Sequence, residues 1–238
     1  MLLSILPLLL LAAPVWAYEG VEVENAGSLT GRVRLEGQPP AAVVTEVHKN
    51  VSVCGTTVED RTFVVGEGGA LANVVVYLAA VGVGRPIDLE AIGELDNREC
   101  RFEPHVQSLT VGQKIEIKNS DPVLHNTRTE VLGGGIGNRI NLAMARAGTT
   151  IRKPIRYPGI HRLRCDAGHT WMNAYLLVFE HPYHVVTGTD GTFELDEVPP
   201  GEYTLMTWHE KLGTSETKIG VKAGELVEVP AIVLKQSQ

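Results

Sequence analysis

Residues 111–126 read VGQKIEIKNSDPVLHN. Ile115 and Ile117 alternate with Lys114, Glu116 and Lys118, the period of two that turns one face of a strand toward a core and the other toward water. Asn119, Ser120, Asp121 and Pro122 then end the strand, because the three polar side chains bond nearby backbone and proline has no N–H to extend a ladder. His125 comes directly after, which predicts an imidazole at the rim of a sheet. Short runs of the same kind recur at 28–35, 73–78, 160–165, 174–179, 192–195 and 203–208, separated by Gly, Pro, Asn and Asp. Only 86–95 and 140–147 read as brief helices. Many short strands with frequent turns predict an all-β chain built as a sandwich or barrel.

A second stretch, 158–172, reads PGIHRLRCDAGHTWM and places a thiol, an imidazole and a thioether within eight residues, at Cys165, His169 and Met172. Taken singly, a buried cysteine, a turn histidine and a core methionine are ordinary packing residues. Together they are three parts of a ligand set, because two histidines and a cysteine in a trigonal plane with a distant methionine suit copper that exchanges electrons. His125 supplies the missing imidazole from a separate strand end.

The compartment bears on the thiol. Residues 1–17, MLLSILPLLLLAAPVWA, combine a short apolar run with small residues before Tyr18 and read as a secretory signal peptide cleaved after Ala17. No later segment has the ~20 apolar residues of a membrane-spanning helix. A periplasmic or extracellular protein is therefore expected. Of three cysteines in such a chain, one is left over after pairing. Cys54 and Cys100 both lie in turn-like settings and are expected to form the disulfide, stabilising the fold by ~3–4 kcal/mol on the chain-entropy account. Cys165 is then the free thiol, and a metal would protect it. A net charge of −7, with no basic tract, excludes a nucleic-acid partner and predicts attraction to a basic patch on a small redox protein.

On these residues the chain resembles the cupredoxin, or blue copper, family. The run 111–126 is similar to the part of those proteins that carries the first copper histidine, and 158–172 to their last strand and ligand loop. The resemblance implies a Greek-key β-sandwich holding one copper ion per chain, with His125 and His169 as imidazole ligands, Cys165 as the thiolate and Met172 as the axial thioether. The Cys-x3-His-x2-Met spacing also matches half of a dinuclear purple copper loop. That loop needs a second cysteine four residues earlier, and His161 stands there instead, so a mononuclear centre is expected. His105, His161 and His209 are candidate outer partners or extra ligands. His181 and His184 are expected at a domain junction, and His48 in solvent.

The C-terminal sequence has its own rhythm: a Thr189-Asp190-Gly191 turn, a strand, a Pro199-Pro200-Gly201 turn and another strand. It resembles the carboxypeptidase regulatory-like, transthyretin-like β-sandwich modules, without any peptidase site. The expected fold is thus all-β, a cupredoxin-like sandwich over 18–180 plus a smaller Ig-like or transthyretin-like module over 181–238. Because 28–40 resembles the first strand of such a module, the alternative is one sandwich built from 28–80 and 174–238 with the copper domain inserted. The glycine-rich 133–138, GGGIGN, reads as a loop, since no strand leads into it and no helix follows as a phosphate cradle requires. Function is expected to be single-electron transfer with a redox protein such as a c-type cytochrome or a membrane-bound oxidoreductase. Copper trafficking or sensing without redox turnover is the second reading and a structural adhesion or assembly role the third; an enzyme is least supported.

Overall fold

The computed structural model describes residues 18–236; the leader expected at 1–17 lies outside the described residues. The chain is an all-β sandwich protein. One pair of sheets encloses the first core. Its four-stranded sheet runs Thr149–Pro154, Lys114–Asn119, Ile92–Arg98, Arg101–Glu103, and its five-stranded partner runs Asn141–Met144, His125–Val131, Gly159–Arg164, Asn173–Phe179, Val106–Thr110. Ile115 and Ile117 are fully buried with Leu95. Burying each such side chain contributes ~1.5–3 kcal/mol, and a slip of one residue would exchange them for Lys114, Glu116 and Lys118, so the apolar alternation fixes the register.

A second pair of sheets is made from both ends of the chain. Gly27–Leu35 lies antiparallel to Thr192–Val198 and parallel to Leu226–Glu228 and Ile232–Leu234. Facing it is the sheet of His184–Val186, Val75–Leu78, Gly201–His209 and Gly213–Val221.

The strand Asn173–Phe179 explains how the two pairs stack. Its sequence NAYLLVF is a continuous apolar run, the pattern of a strand covered on both faces. Ala174, Leu176 and Val178 enter the first core. Tyr175 and Leu177 point the other way, into a separate cluster with Val75, Val106 and Trp208. His184 straddles the same junction, with Nδ1 2.8 Å from Ser108 Oγ and Nε2 2.9 Å from Thr110 Oγ1.

The two expected helices are strands and turns instead. In 86–95, Asp88 accepts from the N–H of Glu90 and Ala91 at 3.0 and 3.2 Å, a local turn that leads into Ile92–Arg98 rather than the start of a helix. In 140–147, Asn141–Met144 pairs as an edge strand with His125–Val131, so cross-strand bonding overrides the weak helical pattern. Among the described residues the α-helix is Val51–Cys54. Among the described residues no helix is long and apolar enough to cross a membrane.

Candidate metal centre

Three strand ends and one short helix converge at a rim of the first sandwich. His125 opens the strand His125–Val131. The preceding turn is tied by Asn119, whose side chain donates to the carbonyls of Val123 and Met144 at 3.0 and 2.9 Å and accepts from the Asp121 N–H at 3.1 Å. Cys165 follows the strand Gly159–Arg164. The loop after it is tightened by Gly168, at φ +92°, and by the Met172 N–H donating to the His169 carbonyl at 3.0 Å.

His125 and His169 are fully buried, Cys165 is 5% exposed and Met172 2%. The Cys165 Sγ lies 3.9 Å from His125 Nδ1 and 3.6 Å from His169 Nδ1. The other nitrogen of each ring is occupied. His125 Nε2 donates to Asp121 Oδ2 at 2.8 Å, and His169 Nε2 donates to Asn50 Oδ1 at 2.9 Å. With Nε2 protonated on both rings, both Nδ1 lone pairs are left facing one thiol. The Asn126 N–H also points to that sulfur, at 3.3 Å.

Electrostatics keep these rings neutral. Burial holds the His125 pKa below the ordinary imidazole value, against the raising effect of Asp121. His169 is pushed down to about 4, chiefly by burial and then by the charges of His125 and Lys49. A neutral imidazole is the metal-binding form, and a ligating histidine characteristically gives its remaining N–H to a carboxylate or carbonyl oxygen. Bonds of roughly 2.0–2.3 Å to nitrogen and sulfur in a trigonal plane separate the donor atoms by roughly 3.5–4.0 Å. The two sulfur–nitrogen distances fit that range, and one soft thiol with two imidazoles, followed in the same loop by the buried Met172, is a donor set that fits copper.

Asp121 is itself held by a hairpin. Glu99 and Cys100, both in the left-handed region at φ 54° and 55°, form the two-residue turn between Ile92–Arg98 and Arg101–Glu103. Their N–H groups donate to Oδ1 and Oδ2 of Asp121, each at 2.8 Å. Cys100 is bonded to Cys54, at the end of the helix that begins beside Asn50, and Cys165 is the free cysteine.

The other histidines are committed elsewhere. His161 accepts from the Asn138 N–H at 3.0 Å and bonds the Gly159 carbonyl at 3.1 Å. His105 pairs with Glu210, and His209 donates to the Thr62 carbonyl at 3.0 Å. His48 is exposed beside Glu46. His105 does line a cavity with Trp171 and Met172. Asn50 and Asp121 are the residues the sequence did not disclose. Asp121 stands four positions before His125 but reads as a turn former; Asn50 is 119 positions from the ring it holds.

No protein-family model matches the chain, and no curated protein does. Solved structures similar to part of it include the copper-containing nitrite reductase of Thermus scotoductus SA-01, at 20% identity and TM-score 0.33, covering 44% of this chain and 25% of that one. The purple cupredoxin of Nitrosopumilus maritimus is similar at 18% identity and TM-score 0.31, over 37% of this chain and 99% of its own. The oxidised plastocyanin of Dryopteris crassirhizoma is similar at 17% identity and TM-score 0.32, over 37% and 100%. This chain thus spans about a quarter of the length of the nitrite reductase chain.

Proposed function

We propose that the protein is an exported mononuclear copper protein that passes single electrons between redox partners, and that His125, His169, Cys165 and Met172 would hold the ion. The observation that carries this reading is the pair of imidazoles fixed by Asp121 and Asn50 so that both Nδ1 atoms face the Cys165 sulfur. Copper, when bound, supplies a one-electron couple at that point. The chain's part is to hold the donors in one geometry for both oxidation states, to keep water out by burial, and to temper the thiolate through the Asn126 N–H. Burial of all four donors leaves a small-molecule substrate no direct access, which supports a carrier rather than an enzyme. Loosely held metal in transit would call for spare donors beside the set, whereas His105, His161 and His209 are bonded to protein partners. The two chain ends sharing one sheet support the inserted arrangement, with the copper domain set into a sandwich formed by the flanking segments.

The test is spectroscopic. Cu(II) added to the full chain gives an intense visible thiolate-to-copper band, and Cys165→Ser abolishes it while leaving the far-ultraviolet β signal intact. A band that survives the substitution removes Cys165 from the ligand set.

A further inference from the structure

Cys100 meets both halves of the candidate centre. Its N–H donates to Asp121, which holds His125. Its carbonyl accepts from Trp171 Nε1 at 2.9 Å, and the Trp171 ring lies 5.3 Å from that of His169. Its sulfur is bonded to Cys54, at the end of a helix of four residues. The first carbonyl of that helix belongs to Asn50, which accepts from the N–H groups of Val53 and Cys54 at 2.8 and 2.9 Å, and the Asn50 side chain holds His169. Beside it, Lys49 Nζ donates to the Ala167 carbonyl at 2.5 Å, so this segment covers the ligand loop. So short a helix has no independent stability, and Asn50 keeps its place because the segment is fastened.

We propose that the Cys54–Cys100 disulfide is a thiol-sensitive lock on the imidazole pair: while the bond is closed, Asp121 and Asn50 set the tautomer and direction of His125 and His169, and opening it releases both rings together. Opening takes two electrons and two protons from a dithiol. The S–S bond breaks to two thiols, and the dithiol closes to its own disulfide. Of the two half-cystines, Cys54 keeps the little exposure there is, 8% against 0% for Cys100. The released Cys100 thiol does not leave the site. Its Sγ, an Asp121 oxygen and a His125 nitrogen all lie within 4.8 Å of one another, so the thiol competes with Asp121 for the imidazole. Cys54 and Cys100 are positioning residues here, acting through Asn50 and Asp121.

The proposal rests on the copper reading only for its consequence, and the test separates the two. Nitrogen-15 spectra of the metal-free full chain report the tautomer of each imidazole. In the disulfide form, His125 and His169 each show a single tautomer protonated at Nε2. In a Cys54→Ala/Cys100→Ala variant, and in the native chain reduced with dithiothreitol, both become tautomer mixtures while the β signal is retained. Copper affinity, read by competition with a chelator, then falls about 10-fold or more, the scale seen when outer-shell partners of a ligand are lost. Unchanged tautomers in the disulfide-free chain overturn the proposal. So does global unfolding of both forms, because the bond would then secure the fold rather than the rings. Failure of the disulfide form to bind copper would remove the functional reading and leave the tautomer result standing.

Discussion

Asn50 has a left-handed backbone at φ 55° in front of a short helix, yet its side chain makes no capping bond. Asparagine is among the best helix caps, worth about 1 kcal/mol, and here that role is forgone for a bond to His169. Asp121 does the corresponding work for His125 with a carboxylate that accepts three N–H groups. Replacing Asp121 by Ala leaves the Glu99 and Cys100 amides and the ring N–H unsatisfied. Copper affinity is expected to fall about 10- to 100-fold, measured by chelator competition, with a stability loss of about 1–3 kcal/mol in urea. Unchanged affinity would mean that the ring orients itself without its carboxylate. The candidate donors were legible in the sequence because soft and imidazole donors at strand ends are rare together, and Cys165 stood out as the odd thiol. Their holders were not, since one asparagine or aspartate in a turn looks like every other.

At the scale of elements, alternation and turn chemistry carried the reading. GQKIEIKN gave its strand within one residue, and the Asp190-Gly191 turn falls between His184–Val186 and Thr192–Val198, carrying the chain from one sheet of the second pair to the facing one. Gly191 is at φ 70°, and a Cβ there would meet the Val33 carbonyl oxygen at 2.4 Å. Gly191→Ala is accordingly expected to destabilise the protein by more than ~1 kcal/mol, seen as a lower melting temperature, with both backbone strain and steric overlap against it. A melting temperature equal to the native one would show that the turn can move aside. The helical readings of 86–95 and 140–147 failed for a definite reason. Neither segment has an extended apolar stripe, and in such stretches a local Asp88 turn or an available edge partner decides the outcome.

Across the whole molecule, the junction between the two pairs of sheets is one place where pH acts. His184 stacks on Phe179 at 4.7 Å, and although the residue keeps some exposed surface, both ring nitrogens are taken by the hydroxyls of Ser108 and Thr110. Burial pushes it down to about 3, with the charges of His181 and Arg85 adding to the effect, and burial pushes His181 down to about 4. Both folded values lie below the unfolded value of ~6.5, so the unfolded chain takes up protons first as pH falls. The stability these neutral rings allow is complete above pH ~6.5, declines as pH falls below it, and is lost once the folded values are passed. By pH 4.5 the loss is roughly 2–3 kcal/mol per histidine. Urea midpoints at pH 7.5 and 4.5 check it: His184→Asn should narrow the difference between the two, and an unaltered difference would place the acid sensitivity elsewhere.

That both chain ends share one sheet was present in the sequence only as a likeness of 28–40 to the C-terminal module, because strand pairing between distant segments leaves no local pattern.

The central claim is that Cys165 and the two imidazoles hold one copper that carries one electron. A reductive titration of the copper-loaded chain, followed by its visible band and its paramagnetic resonance, tests it in one measurement. One electron per chain should bleach the band and the signal together and reversibly, with hyperfine splitting from a single copper nucleus in the oxidised form. Splitting from two equivalent nuclei, or a band that resists reduction, would contradict the account.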